Sequence, residues 1–163
     1  MKIESTRFGE IEINENSIIR FVGGLPGFEE LDRYAIIRCD QTEPIQWLQS
    51  LDDKDIAIPI VNPFILKPDY EIEVDDDDLD LIETHKEEDL VVLSIMVIPE
   101  DITKMTANLM APLLINIKEM VGAQMMMDYK TLPIRFPAFE ALQKYYHQEE
   151  GVDSSVGIDE KGE

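Results

Sequence analysis

Polar and apolar residues alternate along several short stretches of the chain, which is the pattern of half-buried β-strands. Residues 2–6 and 10–13 alternate in this way on either side of Gly9, so they predict a β-hairpin. The same pattern predicts further strands at 17–22, 33–39, 45–51 and 56–61. The glycines of the stretch 23–27 predict a tight turn, because glycine adopts positive φ at little cost. Pro59 has no N–H to donate, which places the strand around it at a sheet edge or a bulge.

The second half of the chain continues as strands, with one short helix. Residues 70–74 alternate so that Tyr70, Ile72 and Val74 share one face, which predicts a strand with Tyr70 and Ile72 pointing into the core. The run 75–82 predicts a helix, because clustered aspartates are stabilised by the positive amino-terminal end of a helix. Further strands are predicted at 90–98, 106–109, 113–117 and 123–127, with a turn at 119–122.

Two regions allow more than one secondary structure. Residues 109–127, like Met105 and Ala107 just before them, are rich in methionine and alanine and would also suit a helix, but Pro112 and Gly122 favour strands there. Residues 136–146 predict either a terminal helix or an extended segment held in place by its aromatic side chains.

These elements predict one domain of the all-β class, a small, mainly antiparallel barrel or sandwich with one or two short helices. The chain has 163 residues, a length typical of one domain with a single hydrophobic core. We therefore assign residues 1–147 to one barrel domain. Residues 148–163 are polar, acidic and rich in glycine and serine, so they predict a disordered tail.

Negative charge is concentrated in one part of the chain. The formal net charge is −21, and residues 69–89 contribute about half of it, with 12 acidic residues against Lys86 alone. Such a field repels nucleic acid and anionic lipid and steers basic partners toward it. Solubility alone would explain the excess equally well, so both interpretations stay open.

The sequence favours a cytoplasmic protein. Residues 1–6 lack the apolar core of a secretory signal, and the longest apolar run, 90–98, is far shorter than the roughly 20 residues that span a bilayer. The one cysteine, Cys39, cannot form an internal disulfide, which fits a reducing compartment. We expect no contact with a membrane or with nucleic acid, and a monomer when the chain is alone.

No set of catalytic residues is recognisable. His85 and His147 lie in polar, acidic surroundings typical of the surface, and Cys39 ends a predicted strand, where a small buried side chain is expected. The stretch 23–27 lacks the lysine and hydroxyl residue of a phosphate-binding loop. The run 75–78 resembles a calcium loop only in its acidity, because the sharp-turn glycine and alternating ligands are missing. The sequence predicts a binding protein without metal or cofactor, and not an enzyme.

Three stretches, taken together, resemble one bacterial family. They are FVGGLPGF at 21–28; LQSL at 48–51, followed by NPF at 62–64 and PDYE at 68–71; and TANLMAPLLIN at 106–116, followed by Gly122 and Gln124. In this order and spacing they resemble the flagellar assembly factor FliW, and the third stretch is the most specific. The resemblance extends over residues 3–129.

The resemblance implies a compact, β-barrel-like cytoplasmic protein that binds flagellin and the RNA-binding regulator CsrA. In that family, FliW prevents CsrA from repressing flagellin translation, and unsecreted flagellin takes FliW away from CsrA. Secretion of flagellin then frees FliW, so that synthesis of flagellin follows its export. The family acts on CsrA away from its RNA surface, which implies that acidic residues form an interaction face and do not mimic RNA.

Residues predicted to bind partners lie in and beside the acidic segment, defined here as residues 69–89. Its carboxylates are candidates because of their charge, and two neighbouring apolar residues are candidates for an exposed anchor. The full set is Phe64, Ile65, Asp69, Glu71, Glu73, Asp75, Asp76, Asp77 and Asp78.

A second group of residues carries the family motifs and is predicted to be structural. The glycines and proline of the first motif shape its turn, Phe28 is expected in the core, and Asn108 and Asn116 are expected to bond to backbone in a bend. The group consists of Gly24, Pro26, Gly27, Phe28, Asn62, Pro63, Asn108, Pro112, Asn116 and Gln124.

Two other classes of function remain open at this stage. One is an acidic chaperone or scaffold for any basic client, and the other is a metal-dependent enzyme that uses the aspartates 75–78. Identification of the proteins that this chain retains from a lysate of flagellated cells would test the scaffold hypothesis. Calorimetry with calcium, magnesium and manganese would test the enzyme hypothesis. The density of the aspartate run and the tail after Gln148 depart from the family pattern, so their roles stay open.

Overall fold

Eleven strands and three α-helices make up the described part of this computed structural model, which covers residues 1–127 and 132–156, the side chains of 149–156 excepted. The strands are β1 Lys2–Ser5, β2 Gly9–Glu12, β3 Ile19–Phe21, β4 Arg33–Ile37, β5 Gln46–Ser50, β6 Ala57–Val61, β7 Leu90–Val97, β8 Thr106–Ala107, β9 Leu113–Asn116, β10 Val121–Gln124 and β11 Phe136–Pro137. The helices are α1 Pro63–Leu66, α2 Asp76–Leu81 and α3 Phe139–Val156. Within the described ranges, no helix is long and apolar enough to cross a bilayer.

Strand β7 closes the sheet into a barrel, because it pairs with β9 as well as with β6. Its last two residues, Met96 and Val97, pair with β8. Residues 90–93 pair with β9, whereas Ser94 and Ile95 pair with β6. The ring runs in the order β7, β6, β5, β4, β3, β10, β9 and back to β7. Every neighbouring pair is antiparallel except β3 and β10, which are parallel. The prediction of a small, mainly antiparallel barrel is therefore confirmed, with three helices in place of one or two.

Large apolar side chains fill the interior of the barrel. They come from six of its seven strands and from Leu25 in the turn after β3, and they include Ile19, Phe21, Tyr34, Leu48, Ile60, Leu93, Leu113 and Ile115. Strand β10 contributes Gly122 instead, and a Cβ at that position would lie 2.9 Å from Cε1 of Phe21. The absence of a side chain on Gly122 therefore makes room for the ring of Phe21.

Other apolar clusters attach the remaining segments to the outside of the barrel. Helix α3 packs Leu142 against a cluster that contains Trp47 and Met96. The hairpin β1–β2 packs Ile3 against Ala35 of β4. The hairpin predicted around Gly9 is therefore confirmed, and it pairs antiparallel.

Pro59 lies in an interior strand, so the prediction of an edge or bulge at this residue is wrong. Strand β6 has β5 on one side and β7 on the other. Pro59 is opposite Trp47 of β5, and pairing with β7 starts only at the next residue, Ile60. The missing N–H of Pro59 therefore interrupts no bond to β7.

Two predicted strands in the second half of the chain differ from the structure. Residues 70–74 form no strand and join no sheet. Strand β10 begins at Val121, two residues earlier than predicted, because the preceding turn begins directly after Asn116. The Asn116 side-chain oxygen accepts hydrogen bonds from the N–H groups of Lys118 and Glu119, at 3.0 and 3.2 Å, which fixes the start of that turn.

The terminal aromatic segment forms a helix, one of the two structures that its sequence allowed. Helix α3 begins at Phe139 and continues to Val156, past Gln148, where we predicted that a disordered tail begins. Residues 148–156 of the predicted tail thus fall within this helix. Residues 157–163 of the predicted tail lie outside the described residues.

The turn after β3 has the positive φ angles that its glycines predict. The φ angles are 75° at Gly23, 68° at Gly24 and 88° at Gly27. Gly24 is also crowded, since a Cβ there would lie 2.5 Å from the carbonyl oxygen of Glu29. Nothing lies within 4 Å of a Cβ built on Gly23.

We therefore expect Gly24→Ala to lower the free energy of unfolding more than Gly23→Ala. Either alanine is strained by positive φ, at about 1–2 kcal/mol, but only the one at position 24 also collides with backbone. Urea denaturation of the two variants measures the difference. Equal losses would contradict the close approach at Gly24.

Candidate functional site

The acidic segment is fastened to the barrel by a few uncharged groups. Tyr70 is buried, and its hydroxyl donates a hydrogen bond to the carbonyl oxygen of Leu109, at 2.7 Å. Ile82 is fully buried at the end of α2, and Nδ2 of Asn116 donates to its carbonyl oxygen, at 2.9 Å. Tyr70 and Ile82 thus attach the acidic segment to the barrel near its start and at the end of α2.

Between these attachments the side chains alternate as predicted. Ile72 and Val74 are half-buried and pack against a cluster that includes Ile82 and the β10 residue Ala123. The intervening Glu71 and Glu73 are exposed. The prediction that Tyr70, Ile72 and Val74 share one face is therefore confirmed, although no strand forms.

Helix α2 starts where the aspartate run predicts. Asp75 is the N-cap, and its side-chain oxygen accepts a hydrogen bond from the N–H of Asp78, at 2.8 Å. Asp76, Asp77 and Asp78 occupy the first turn, near the positive end of the helix dipole. Asp78 is half-buried, and the loss of hydration there, together with the charge of Asp75, raises the pKa of its carboxyl.

A groove of about 730 Å³ runs between residues 71–74 of the acidic segment, α2 and β7. Its apolar lining comes from Phe64, Ile72, Val74, Leu79, Leu90 and Val92, and its polar lining from Glu71, Glu73, His85 and Glu87. We call this the acidic groove. An apolar surface bordered by carboxylates suits a segment that carries both apolar and basic side chains.

The two residues predicted as an apolar anchor face different ways. Phe64 is 40% exposed at the acidic groove, and its ring packs edge-on against Tyr70, with centroids 5.4 Å apart. Ile65 is half-buried and packs toward the cluster beneath α3 instead. Neighbouring side chains of an α-helix point about 100° apart around its axis. Adjacent residues of the four-residue helix α1 therefore face different directions. Phe64 is therefore exposed as expected of an anchor, whereas Ile65 is not, and binding through either residue stays a prediction.

Some carboxylates of the segment have basic neighbours. Asp69 accepts a hydrogen bond from Lys67, at 2.7 Å, which lowers the pKa of its carboxyl. Arg20 lies 3.5 Å from Glu83. His85 lies 2.6 Å from Asp80. These exposed pairs are screened by solvent, so they leave the segment strongly negative.

The asparagines and proline of the later motifs have structural roles. Asn62 caps α1 by accepting from the N–H of Phe64, at 2.9 Å, and Pro63 occupies the first position of that helix. The Asn108 side chain accepts from the N–H groups of Met110 and Ala111, both at 3.0 Å. Together with the bonds of Asn116, these contacts confirm the predicted bends. Pro112 lies between β8 and β9, and its carbonyl oxygen accepts from the N–H of Met125, at 2.9 Å.

Residues of the first and third motifs meet at one end of the barrel. They line a second groove, of about 610 Å³, which we call the mouth groove and to which Gly24, Pro26, Phe28, Asn108 and Gln124 contribute. Phe28 is half-buried at this groove, outside the barrel core, so the prediction that it is a core residue is wrong. The bridge between Leu25 and Phe28 turns the chain back at this point, and it is Leu25 that enters the core.

Sequence reasoning missed the floor of the acidic groove. Leu79, Leu90 and Val92 were assigned to a helix and a strand without any role in binding. Alternation along β7 indicates that every second side chain of the strand points away from the barrel interior. It does not indicate that these outward side chains are only half-buried. His85 and Glu87 also line the groove, and their only signal was their position in the acidic segment.

No metal site is apparent in residues 1–127 and 132–156. Within these ranges, no three side chains among His, Cys, Asp and Glu are arranged to hold a metal ion. The aspartates 75–78 cap and begin a helix instead of surrounding a common point. Cys39 is half-buried and packs against the cluster beneath α3, and His147 is exposed.

Several known proteins are similar to this chain in sequence and fold. The model of the FliW protein family matches residues 2–139. The flagellar assembly factor FliW of Caldicellulosiruptor saccharolyticus is 44% identical over 140 residues, which are 86% of this chain and 91% of that protein. The FliW of Alkaliphilus metalliredigens is 40% identical over 149 residues, 91% of this chain and 92% of that protein. A crystal structure of the flagellar assembly factor FliW matches with a TM-score of 0.79 at 30% identity, over 85% of this chain and 97% of that one.

We expect Asp78→Asn to stabilise the fold at neutral pH. The pKa of Asp78 is raised above its usual 3.8 in the folded chain, so ionisation of this carboxyl favours the unfolded state. The folded chain is therefore penalised once the pH rises through the folded pKa, and the penalty is absent below about pH 3.8. Urea denaturation of the wild type and the variant across this range measures the difference in stability.

Asp77→Asn is the matched control, because it removes the same charge from the same turn of α2. Asp77 is exposed, so its replacement should give a smaller gain at neutral pH. An equal gain from both variants would show that general repulsion, and not the burial of Asp78, is responsible.

Proposed function

Since the chain belongs to the FliW family, we propose that this flagellar assembly factor binds flagellin and, when free of flagellin, binds and antagonises the translational repressor CsrA. Flagellin that has not been exported occupies the protein and leaves CsrA active. Export frees the protein, CsrA is bound, and translation of flagellin resumes. The exchange takes place in the cytoplasm, where flagellin is made, and consists of binding equilibria without a chemical step.

The acidic groove is the observation that carries this proposal. Its carboxylates lie at the border of an apolar floor, so that a bound segment would gain both charge attraction and burial of apolar surface. CsrA is the basic partner of the two, and complementary charge speeds encounter and disfavours acidic competitors. We therefore assign the acidic groove to CsrA.

Individual residues contribute differently in this assignment. Phe64 presents an exposed ring at the groove, held by its edge-on contact with Tyr70, and serves as the apolar anchor. Glu71 and Glu73 face outward from a segment that Ile72 fixes to the barrel, so their positions are set by packing. Asp69 is already paired with Lys67, so part of its charge is compensated before any partner binds.

We expect flagellin to release CsrA from a preformed complex with this chain. Fluorescence anisotropy of labelled CsrA, followed while flagellin is added, measures the release. An unrelated basic protein is the control, and its failure to bind would separate this function from that of a general acidic scaffold. If flagellin and CsrA bind together without changing each other's affinity, thermodynamic linkage excludes the switch.

We also expect the fourfold change of Asp75, Asp76, Asp77 and Asp78 to asparagine to slow association with CsrA. Asparagine at position 75 is as good an N-cap as aspartate, so α2 should remain. Loss of four charges should reduce the association rate and flatten its dependence on salt, with less effect on dissociation. Rapid-mixing kinetics at low and near-physiological salt measure both rates.

The control for this variant removes the same charge from elsewhere in the chain. Glu149, Glu150, Asp159 and Glu160 are changed to their amides, which leaves the acidic segment intact. Equal slowing by both variants would point to net charge alone. Unchanged rates and salt slopes in the aspartate variant would exclude steering by this run, and a large rise in its dissociation rate would show close contacts.

A further inference from the structure

The wall of the barrel has a gap beside the end of β10. Strand β3 pairs with β10 only at Arg20 and Phe21, and the last bond between them runs from the N–H of Val22 to the carbonyl oxygen of Gly122, at 2.9 Å. The chain then turns away, with the N–H of Gly24 donating to the carbonyl oxygen of Phe21, at 3.0 Å. Beyond Gly122, no strand of the described residues therefore pairs with β10 on this side.

The chain after Gly122 nevertheless stays extended and remains paired on its other side. The N–H of Met125 donates to the carbonyl oxygen of Pro112, at 2.9 Å, and the N–H of Met127 to that of Met110, at 2.7 Å. Backbone groups of successive residues in a strand point to opposite sides. The N–H and C=O groups of Gln124 and Met126 therefore point into the gap, and no hydrogen bond to them is formed by the described part of the chain.

The mouth groove is the space that this gap opens onto. Both Gln124 and Met126 line it, together with apolar side chains that include Val22, Ile58 and Ile95. The Gln124 side chain donates from Nε2 to the carbonyl oxygen of Ala111, at 2.9 Å, whereas its Oε1 is buried and accepts no hydrogen bond from the described residues. A buried acceptor without a donor is costly, so this oxygen favours a ligand that brings an N–H.

We propose that an extended, uncharged segment of flagellin binds in the mouth groove as an added strand beside β10. Its backbone pairs with the N–H and C=O groups of Gln124 and Met126, and one of its N–H groups reaches Oε1 of Gln124. Alternate side chains of the segment enter the apolar groove. Addition of a strand to a free edge is a common mode of peptide recognition, because the edge supplies a ready row of donors and acceptors.

Charge assigns the groove to flagellin, an assignment that rests on the proposed function. Glu29 is the one charged residue that lines the mouth groove among the described residues, and its carboxylate accepts from the N–H of Gly27, at 3.2 Å. The acidic groove, with Glu71, Glu73 and Glu87, suits the basic partner CsrA. Of the two proposed partners, flagellin is therefore left for the neutral groove.

Strand β10 also joins the two grooves physically. Gln124 and Met126 lie on the side of the mouth groove, whereas Met125 belongs to the cluster that supports Ile72 and Val74 of the acidic segment. A strand added beside β10 would restrain the residues on which the acidic groove rests. Coupled binding of flagellin and CsrA then needs no overlap between their sites.

Amide hydrogen exchange, measured by NMR on the full chain, tests the added strand. On addition of flagellin, the amides of Gln124 and Met126 should exchange at least about tenfold more slowly, as hydrogen-bonded amides do. The amides of Met125 and Met127 are bonded already and serve as internal controls. Binding of flagellin without protection of Gln124 and Met126 would overturn the added strand and leave the proposed function standing.

Two variants at one residue give a second measurement. Met126→Pro removes the N–H that faces the gap, which no bond within the described residues uses, and Met126→Ala keeps it. Flagellin affinity should fall about tenfold or more for the proline variant and less than about threefold for the alanine variant, the difference expected from a lost backbone bond and the added ring. Equal effects would overturn the backbone pairing.

Other outcomes separate the remaining occupants of the groove. Protection of Gln124 and Met126 that grows with protein concentration in the absence of flagellin would assign the groove to a second copy of the chain and overturn the proposal. Failure of the wild type to bind flagellin at all would refute the flagellin part of the proposed function, and this inference with it.

Discussion

The pairing of β7 with both β9 and β6 is the constraint on which the other features of this chain depend. Residues 90–93 pair with β9, and Ser94 and Ile95 pair with β6, and this is how seven strands form a ring. Apart from the gap beside the end of β10, closure removes the edges along which an open sheet would aggregate. It also fixes which residues point inward, so that Leu93 fills the barrel while the next residue, Ser94, faces away. A shift of one residue in either pairing would exchange these two sides.

Charge and packing are kept apart in the acidic segment. The groups that hold it are neutral: the hydroxyl of Tyr70, the side chain of Ile82 and the carboxamide of Asn116. The carboxylates of Glu71 and Glu73 point outward between them. Repulsion among so many acids opposes folding, and the apolar contacts beneath the segment offset it. The acidic groove thus exists because a neutral scaffold holds a charged surface in place.

Local patterns were enough to predict most of the strands, because alternation depends only on which side of a strand is buried. They could not show that residues 70–74 join no sheet, since that depends on whether an edge is free, and closure of the barrel leaves none beside them. The same limit explains Phe28 and Ile65. Each is apolar and close to a more deeply buried neighbour, Leu25 or Leu66, and only the three-dimensional path decides which of the two enters the core. The meeting of the first and third motifs at the mouth groove depends on pairing between β3 and β10, which no local pattern contains.

Attachment through neutral groups has an evolutionary consequence. Substitutions among the outward carboxylates alter the electrostatic potential of the surface and scarcely touch Ile72, Val74 or Ile82 beneath them. Descendants of such a chain can therefore gain or lose acids one at a time, each step remaining foldable. Surface charge becomes a trait that can vary across lineages, while the barrel is inherited almost unaltered.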